Sequence, residues 1–131
     1  MSQRTIRVVA AVVEDDGRYL VTQRRSTAVL PGLWEFPGGR VEDGETDATA
    51  LRREIHERLE ADVEVVQMIS FVSHPYEHYT VDLYLYRCVL KSPRINPRGV
   101  QAYRWLTSSE MDSVAFTPAD QASMNKLLGE A

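Results

Sequence analysis

The chain has 131 residues, 44% of them apolar and 26% charged, which suits one ordinary buried core, and no apolar run approaches the ~20 residues of a membrane span. Its net charge of −4 excludes a general nucleic-acid binder, which needs a basic face to displace counterions. A single cysteine, Cys88, excludes an internal disulfide and suits a reducing cytoplasm.

The opening residues MSQRTIRVV lack the long apolar centre of a secretion signal, because Arg7 interrupts the stretch and Glu14-Asp15-Asp16 soon follow. Residues 7–13 read as a buried strand, and Asp15-Asp16-Gly17 as a hairpin turn into a second strand over 19–23. Residues 26–33, with Pro31-Gly32, form a loop, and Phe36-Pro37-Gly38-Gly39 closes a short strand with a turn. A helix is predicted from about Thr46 to Leu59. Residues 63–72 read as a strand and 73–78 as a polar and aromatic loop. Residues 80–90 form a long strand that alternates Val81, Leu83 and Leu85 against Asp82, Tyr84 and Tyr86. Within it, Cys88 reads as a small core residue rather than a nucleophile. A proline-bearing loop covers 91–98, and 102–106 is a further strand. Thr107 and Glu110 have capping-box spacing for a short helical turn. Thr117 caps a last helix with Pro118 at its first position, running to about Leu128. Strands interspersed with helices imply an α/β chain whose mixed sheet is covered on both faces.

The chemistry concentrates in residues 38–61, where a glycine turn leads into the first helix. At ~3.6 residues per turn, Glu54, Glu57 and position 58 share one face while Leu51, Ile55 and Leu59 share the buried one. Acidic groups crowded beside a glycine-rich backbone suit a hard divalent cation such as Mg2+ that then meets phosphate oxygens. Taken alone, the helix also has a plainer explanation, since Glu54 and Arg58 stand four apart in the favourable order for a surface pair of ~0.3–0.5 kcal/mol.

Gly39, five residues, Glu45, seven residues, then Arg53-Glu54-Ile55 with Glu57 behind it: this spacing resembles the Nudix box. The preceding Trp34-Glu35-Phe36-Pro37-Gly38 resembles the mutator-type nucleoside triphosphate pyrophosphohydrolases of that family. The resemblance implies a Nudix α/β/α sandwich, a mixed sheet flanked by helices, as one domain over residues 1–131. It implies a cytoplasmic hydrolase, monomer or homodimer, that cuts a (deoxy)nucleoside triphosphate, cytidine-type or oxidised, into monophosphate and pyrophosphate. Its cofactor would be Mg2+, with Mn2+ as a substitute, and its partner a small nucleotide rather than a polymer or a membrane. Glu54 and Glu57 are the expected metal ligands and catalytic carboxylates, with Gly38 and Gly39 adding a backbone oxygen. Arg53 is expected to orient the carboxylates, and Glu45 to be a structural acid beyond the direct ligands.

The match departs from the family at several positions. Arg58 stands where the family has the second glutamate of its pair, Glu60 replaces the closing glycine, and Ala61 the last apolar residue. Aligned on Trp105, Arg98-Gly99-Val100-Gln101 occupies the loop where many mutator-type members carry a glutamate, so Gly99 replaces a second carboxylate. Fewer or weaker metal ions follow, with Glu35, Glu42, Asp43 and Asp82 as candidate substitutes. Arg58 is expected to cap activity, so that Arg58→Glu raises metal affinity and turnover. Alternatively its guanidinium offsets the lost metal charge and grips a phosphate in a bidentate fork. The rival function is a catalytically weak domain that binds a nucleotide and reports it to a partner.

For the substrate, the resemblance points to Arg24 and Phe36. Tyr79, with Tyr76 and His78, would stack on a base or pack at a sheet edge. Asp120 would accept a hydrogen bond from an amino-bearing base edge such as that of cytosine, or act solely as the cap partner of Thr117.

Overall fold

The computed structural model describes residues 4–129. In chain order its elements are β1 (Arg4–Val12), β2 (Glu14–Asp15), β3 (Arg18–Gln23), β4 (Trp34–Glu35), β5 (Gly38–Arg40), α1 (Asp47–Leu59), β6 (Val63–Pro75), β7 (Tyr79–Leu90), β8 (Ala102–Leu106), a 3-10 turn (Ser108–Ser113) and α2 (Pro118–Met124), which ends in a π turn (Asn125–Gly129). The larger sheet runs β5-β1-β7-β6, with β1 and β7 parallel and the other neighbours antiparallel. In the smaller sheet β3 pairs with β2, β4 and β8, all antiparallel.

The apolar run in β1 exists because both faces of that strand are covered. Val9 and Ala11 point into a cluster with Leu51, Ile55 and Leu59 of α1, whereas Ala10 and Val12 join Leu83, Leu85, Phe36 and Met124 on the other side. β7 repeats the device. Leu83 and Leu85 lie in the second cluster while Tyr84 and Tyr86 pack against the first, which is why their alternation carries aromatics rather than charges on the helix side. Cys88 is buried there, and burial pushes its thiol up to about 12, so it is an inert core residue.

Helix α1 starts where Thr46 accepts a hydrogen bond from the Thr49 N–H at 3.1 Å. It stops at Glu60, which takes the left-handed conformation at φ 49° where the family motif has glycine. Glu110 accepts hydrogen bonds from the Thr107 N–H and hydroxyl, both at 2.9 Å, and so closes the expected capping box.

Two expectations change. Gly38 and Gly39 do not form a turn; they are strand β5, in register with Ala10 and Val9 of β1, and the turn lies later, at Asp43-Gly44 with Gly44 at φ 84°. Glycine is needed in the strand for space, since a Cβ on Gly38 would lie 2.0 Å from the Val9 carbonyl oxygen. The loop expected at 73–78 shrinks, because β6 continues through Ser73, His74 and Pro75 opposite Asp82, Val81 and Thr80. Irregular register between Val65 and Gln67 and between Met68 and Ser70 breaks the period-two pattern of β6 that would have revealed its length.

Candidate active site

The site forms where β5 passes beneath the middle of α1. A Cβ on Gly39 would fall 2.1 Å from Glu54 Oε2, so the bare glycine backbone is what lets that carboxylate lie against the strand. Glu54 is only 7% exposed. Arg53 holds the arrangement from behind. Its Nε and one amino group donate to both oxygens of Glu45 at 2.7 and 2.8 Å, and the same amino group reaches the Arg40 carbonyl at 3.0 Å. Its other amino group lies 3.3 Å from Glu57 and 3.5 Å from Glu54. One guanidinium therefore ties the helix to β5, to the preceding loop and to both helix carboxylates. Hydrogen bonds from Arg53 and from the Glu42 N–H hold the Glu45 carboxyl down at about 2.

Glu54 faces a second cation, because Arg58 Nε donates to its Oε1 at 3.1 Å. A cavity of about 480 Å³ opens in front of this pair, and its lining includes Gly38, Gly39, Arg24, Phe36, Tyr79 and Asp120. The structure thus brings together the expected substrate residues Arg24, Phe36, Tyr79 and Asp120 with Glu54, Gly38 and Gly39. Glu57 and Arg58 border an adjoining cavity of about 310 Å³, whereas Glu45 and Arg53 line neither.

Asp120 arrives from the far end of the chain. The segment before α2 joins β4, with the Trp34 N–H on the Ala115 carbonyl and the Thr117 N–H on the Trp34 carbonyl at 2.8 and 3.0 Å. That docking places the Asp120 carboxylate to accept from the Phe36 N–H at 2.9 Å and the Thr117 hydroxyl at 2.6 Å. Burial, and next the neighbouring Glu35, raise the Asp120 carboxyl well above the usual carboxylate range. Burial raises Glu35 as well, opposed by Arg24, whose amino group is 3.2 Å away. Tyr76 and Tyr79 stack with ring centres 5.2 Å apart, and the Tyr76 hydroxyl accepts from the Ala119 N–H at 3.2 Å. The aromatic pair is thus fixed against α2 at the cavity wall.

Of the candidate substitute acids, Glu35 and Glu42 line the larger cavity. Asp82 instead accepts from the Ser73 hydroxyl at 2.6 Å on the sheet, and Asp43 lines neither cavity. Arg25, Thr27 and Ala28 border the smaller cavity. The sequence shows the Arg24-Arg25 pair but not the fold of the loop that turns it toward the helix.

Among the described residues no group of three or more His, Cys, Asp or Glu side chains is arranged to hold a metal. What the site offers is Glu54 against the bare Gly39 backbone, with Glu57 beside Glu54 on the wall of the adjoining cavity. Such an all-oxygen set fits a hard divalent cation held by few protein ligands.

The model of the NUDIX domain family matches residues 8–126. The chain belongs to the Nudix hydrolases. It is 31% identical over 117 residues to the CTP pyrophosphohydrolase of Escherichia coli K12, covering 89% of this chain and 87% of that one. To the 8-oxo-dGTP diphosphatase of Haemophilus influenzae Rd it is 28% identical over 134 residues, covering 99% and 96%. The crystal structure of a MutT Nudix hydrolase from Burkholderia pseudomallei superposes with a TM-score of 0.85 at 22% identity over 95% of this chain and 99% of that one, which shows a shared fold. This Nudix hydrolase is therefore of the mutator type, and its family generally uses divalent metals. No helix among the described residues is long and apolar enough to cross a membrane.

Proposed function

We propose that this Nudix hydrolase, acting as one domain over residues 1–131, cuts (deoxy)nucleoside triphosphates into monophosphate and pyrophosphate with Mg2+, Mn2+ serving as a substitute. The observation that carries the reading is the seating of Glu54 on the Gly39 backbone, in Nudix register, at the wall of a cavity of nucleotide size. Glu54 and Glu57 would hold the cation, with a β5 backbone oxygen beside them. Bound there, Mg2+ supplies charge neutralisation at the phosphate oxygens and lowers the pKa of attacking water. Arg53 positions the two carboxylates through its contacts with both and with Glu45. In the overall reaction water adds at phosphorus, the anhydride P–O bond between monophosphate and pyrophosphate breaks, the bridging oxygen stays with the departing group, and the water's proton is released to solvent.

Tyr79, stacked on Tyr76, offers a flat face to a base, and Arg24 stands beside it on the cavity wall. The names of the Escherichia coli and Haemophilus influenzae relatives support cytidine-type or oxidised guanine nucleotides as substrates. At a pH above its raised titration range Asp120 is ionised and supports the cytidine side, because an ionised carboxylate accepts from an exocyclic amine and retains lone pairs beyond those used by Phe36 and Thr117.

The test is release of pyrophosphate and monophosphate from a panel of nucleoside triphosphates with Mg2+, with Mn2+ or with EDTA. CTP and dCTP are expected to outrun UTP and dTTP roughly tenfold in kcat/KM, because a base-edge pairing is worth ~1–3 kcal/mol. Nucleotide binding without metal-dependent release would overturn the reading.

A further inference from the structure

The two replacements of family carboxylates, Arg58 and Gly99, meet in space. The Arg58 carbonyl, at the last turn of α1, accepts hydrogen bonds from the N–H groups of Arg98 and Gly99 at 2.8 and 3.0 Å. Glu60 fastens the same loop through Asn96 at 2.8 Å and Arg98 at 3.3 Å. The loop lies so close that a Cβ on Gly99 would stand 3.0 Å from Arg58 Cα. A carboxylate-bearing residue at 99 is therefore crowded by the backbone of the residue that replaced the other carboxylate. The two changes form one structural unit.

What that unit faces is basic. The cavity of about 310 Å³ between α1 and the loop after β3 is lined by Arg24, Arg25 and Arg58 together with Glu54 and Glu57. Arg58 gives Nε to Glu54, and its two amino groups take no further hydrogen bond among the described residues. Arg24 is braced by Val29 and Glu35, and Arg25 by the Arg98 carbonyl, so the loop guanidiniums are held in place rather than free to sweep solvent. Three guanidiniums share this wall with the two carboxylates assigned to the cation, so it offers an anion donors of its own beside that cation. Forked donors suit phosphate oxygens, which accept two parallel N–H bonds from one guanidinium.

We propose that Arg58, flanked by Arg24 and Arg25, is a phosphate-chain subsite that binds pyrophosphate and the triphosphate tail directly, without a divalent cation. The inference rests on the hydrolase reading for its ligand, and it assigns Arg58 a contact with that ligand in place of a lost metal ligand.

The test is calorimetric titration of inorganic pyrophosphate into the full chain in EDTA. Wild type is expected to bind, Arg58→Gln to bind roughly tenfold or more weakly, and Arg58→Lys to fall between them, because it keeps the charge and loses the fork. Arg58→Glu is expected to lose metal-free pyrophosphate binding and to gain Mn2+ binding, read by electron paramagnetic resonance. Exposed Arg52, which lines neither cavity, is the control. Arg52→Gln should bind as wild type does, and equal weakening in it would overturn the subsite in favour of general charge attraction. Thermal melts of each variant separate lost binding from lost folding, and Arg58→Lys serves if Arg58→Gln does not fold. Pyrophosphate binding that Arg58→Gln leaves unchanged, or its absence from wild type, would overturn the inference even where metal-dependent hydrolysis stands. Arg58-dependent binding without hydrolysis of any triphosphate would instead overturn the hydrolase reading alone.

Discussion

Glu54 sits between two guanidiniums, 3.5 Å from Arg53 and 3.1 Å from Arg58, while Glu57 is 56% exposed. The two carboxylates should therefore respond alike in chemistry and differently in stability. Glu54→Gln and Glu57→Gln are each expected to lose most metal-dependent turnover. Glu54→Gln should also cost roughly 1–3 kcal/mol by leaving charged donors with a neutral partner, whereas Glu57→Gln should cost under about 0.5 kcal/mol. Turnover of Glu54→Gln at the parental rate would remove it from the metal-binding role. Asp120 poses a separate question, since it is at once the partner of Thr117 and part of the cavity wall. Asp120→Asn keeps the shape, and is expected to shrink the preference for CTP over UTP and move it toward oxidised guanine nucleotides. An altered melting temperature with an unchanged substrate ranking would reduce Asp120 to a helix cap.

At the scale of the element, β5 separates two glycines that the motif presents as a pair. A methyl group on Gly38 meets main chain, 2.0 Å from Val9 O and 2.6 Å from Ala10 Cα, so the strand itself must move. A methyl group on Gly39 meets the tip of the Glu54 side chain, which can swing aside. Gly38→Ala should thus destabilise the fold by roughly 1–3 kcal/mol as an overpacked core site does. Gly39→Ala should leave denaturation nearly unchanged and cut kcat/KM sharply, because the displaced carboxylate no longer lies on the strand. Equal loss of stability in both variants would refute this division of roles. Helix α1 was readable in advance because its buried stripe and its acidic face follow from helical spacing. β6 was not, since its irregular register hides the strand period.

Across the whole molecule, carboxylates shifted in opposite directions shape the pH dependence of stability. Glu45 is held at about 2 by Arg53, Asp47 is lowered by Arg7, and Glu110 is lowered by the Thr107 N–H. Depressed carboxylates contribute stability in full above the ordinary value, 4.5 for Glu45, and lose it as pH falls toward the folded value of about 2. Burial raises Asp120 and Glu35, so folding favours their protonated forms and their contribution declines as pH rises through the raised values. Urea midpoints measured from pH 2 to 8 should fall on the acid side between about 4.5 and 2, and less steeply in Glu45→Gln. An acid limb identical in the variant would show that the Arg53–Glu45 pair is not linked to folding.

The sequence by itself determined the family, the order of most elements and the neighbours along α1, because covalent spacing on a helix decides which side chains share a face. It therefore displayed Glu54, Glu57 and Arg58 together, and Leu51, Ile55 and Leu59 as the buried stripe. Only the tertiary structure decided what crosses between elements. It placed Gly39 under Glu54, brought Asp120 to the Phe36 N–H from 84 residues away, and turned Arg24 and Arg25 toward Arg58. It also seated the loop bearing Gly99 on the end of α1, joining two substitutions that the sequence shows as unrelated. Those contacts depend on sheet order, strand register and loop docking, which long-range packing selects and local spacing does not encode.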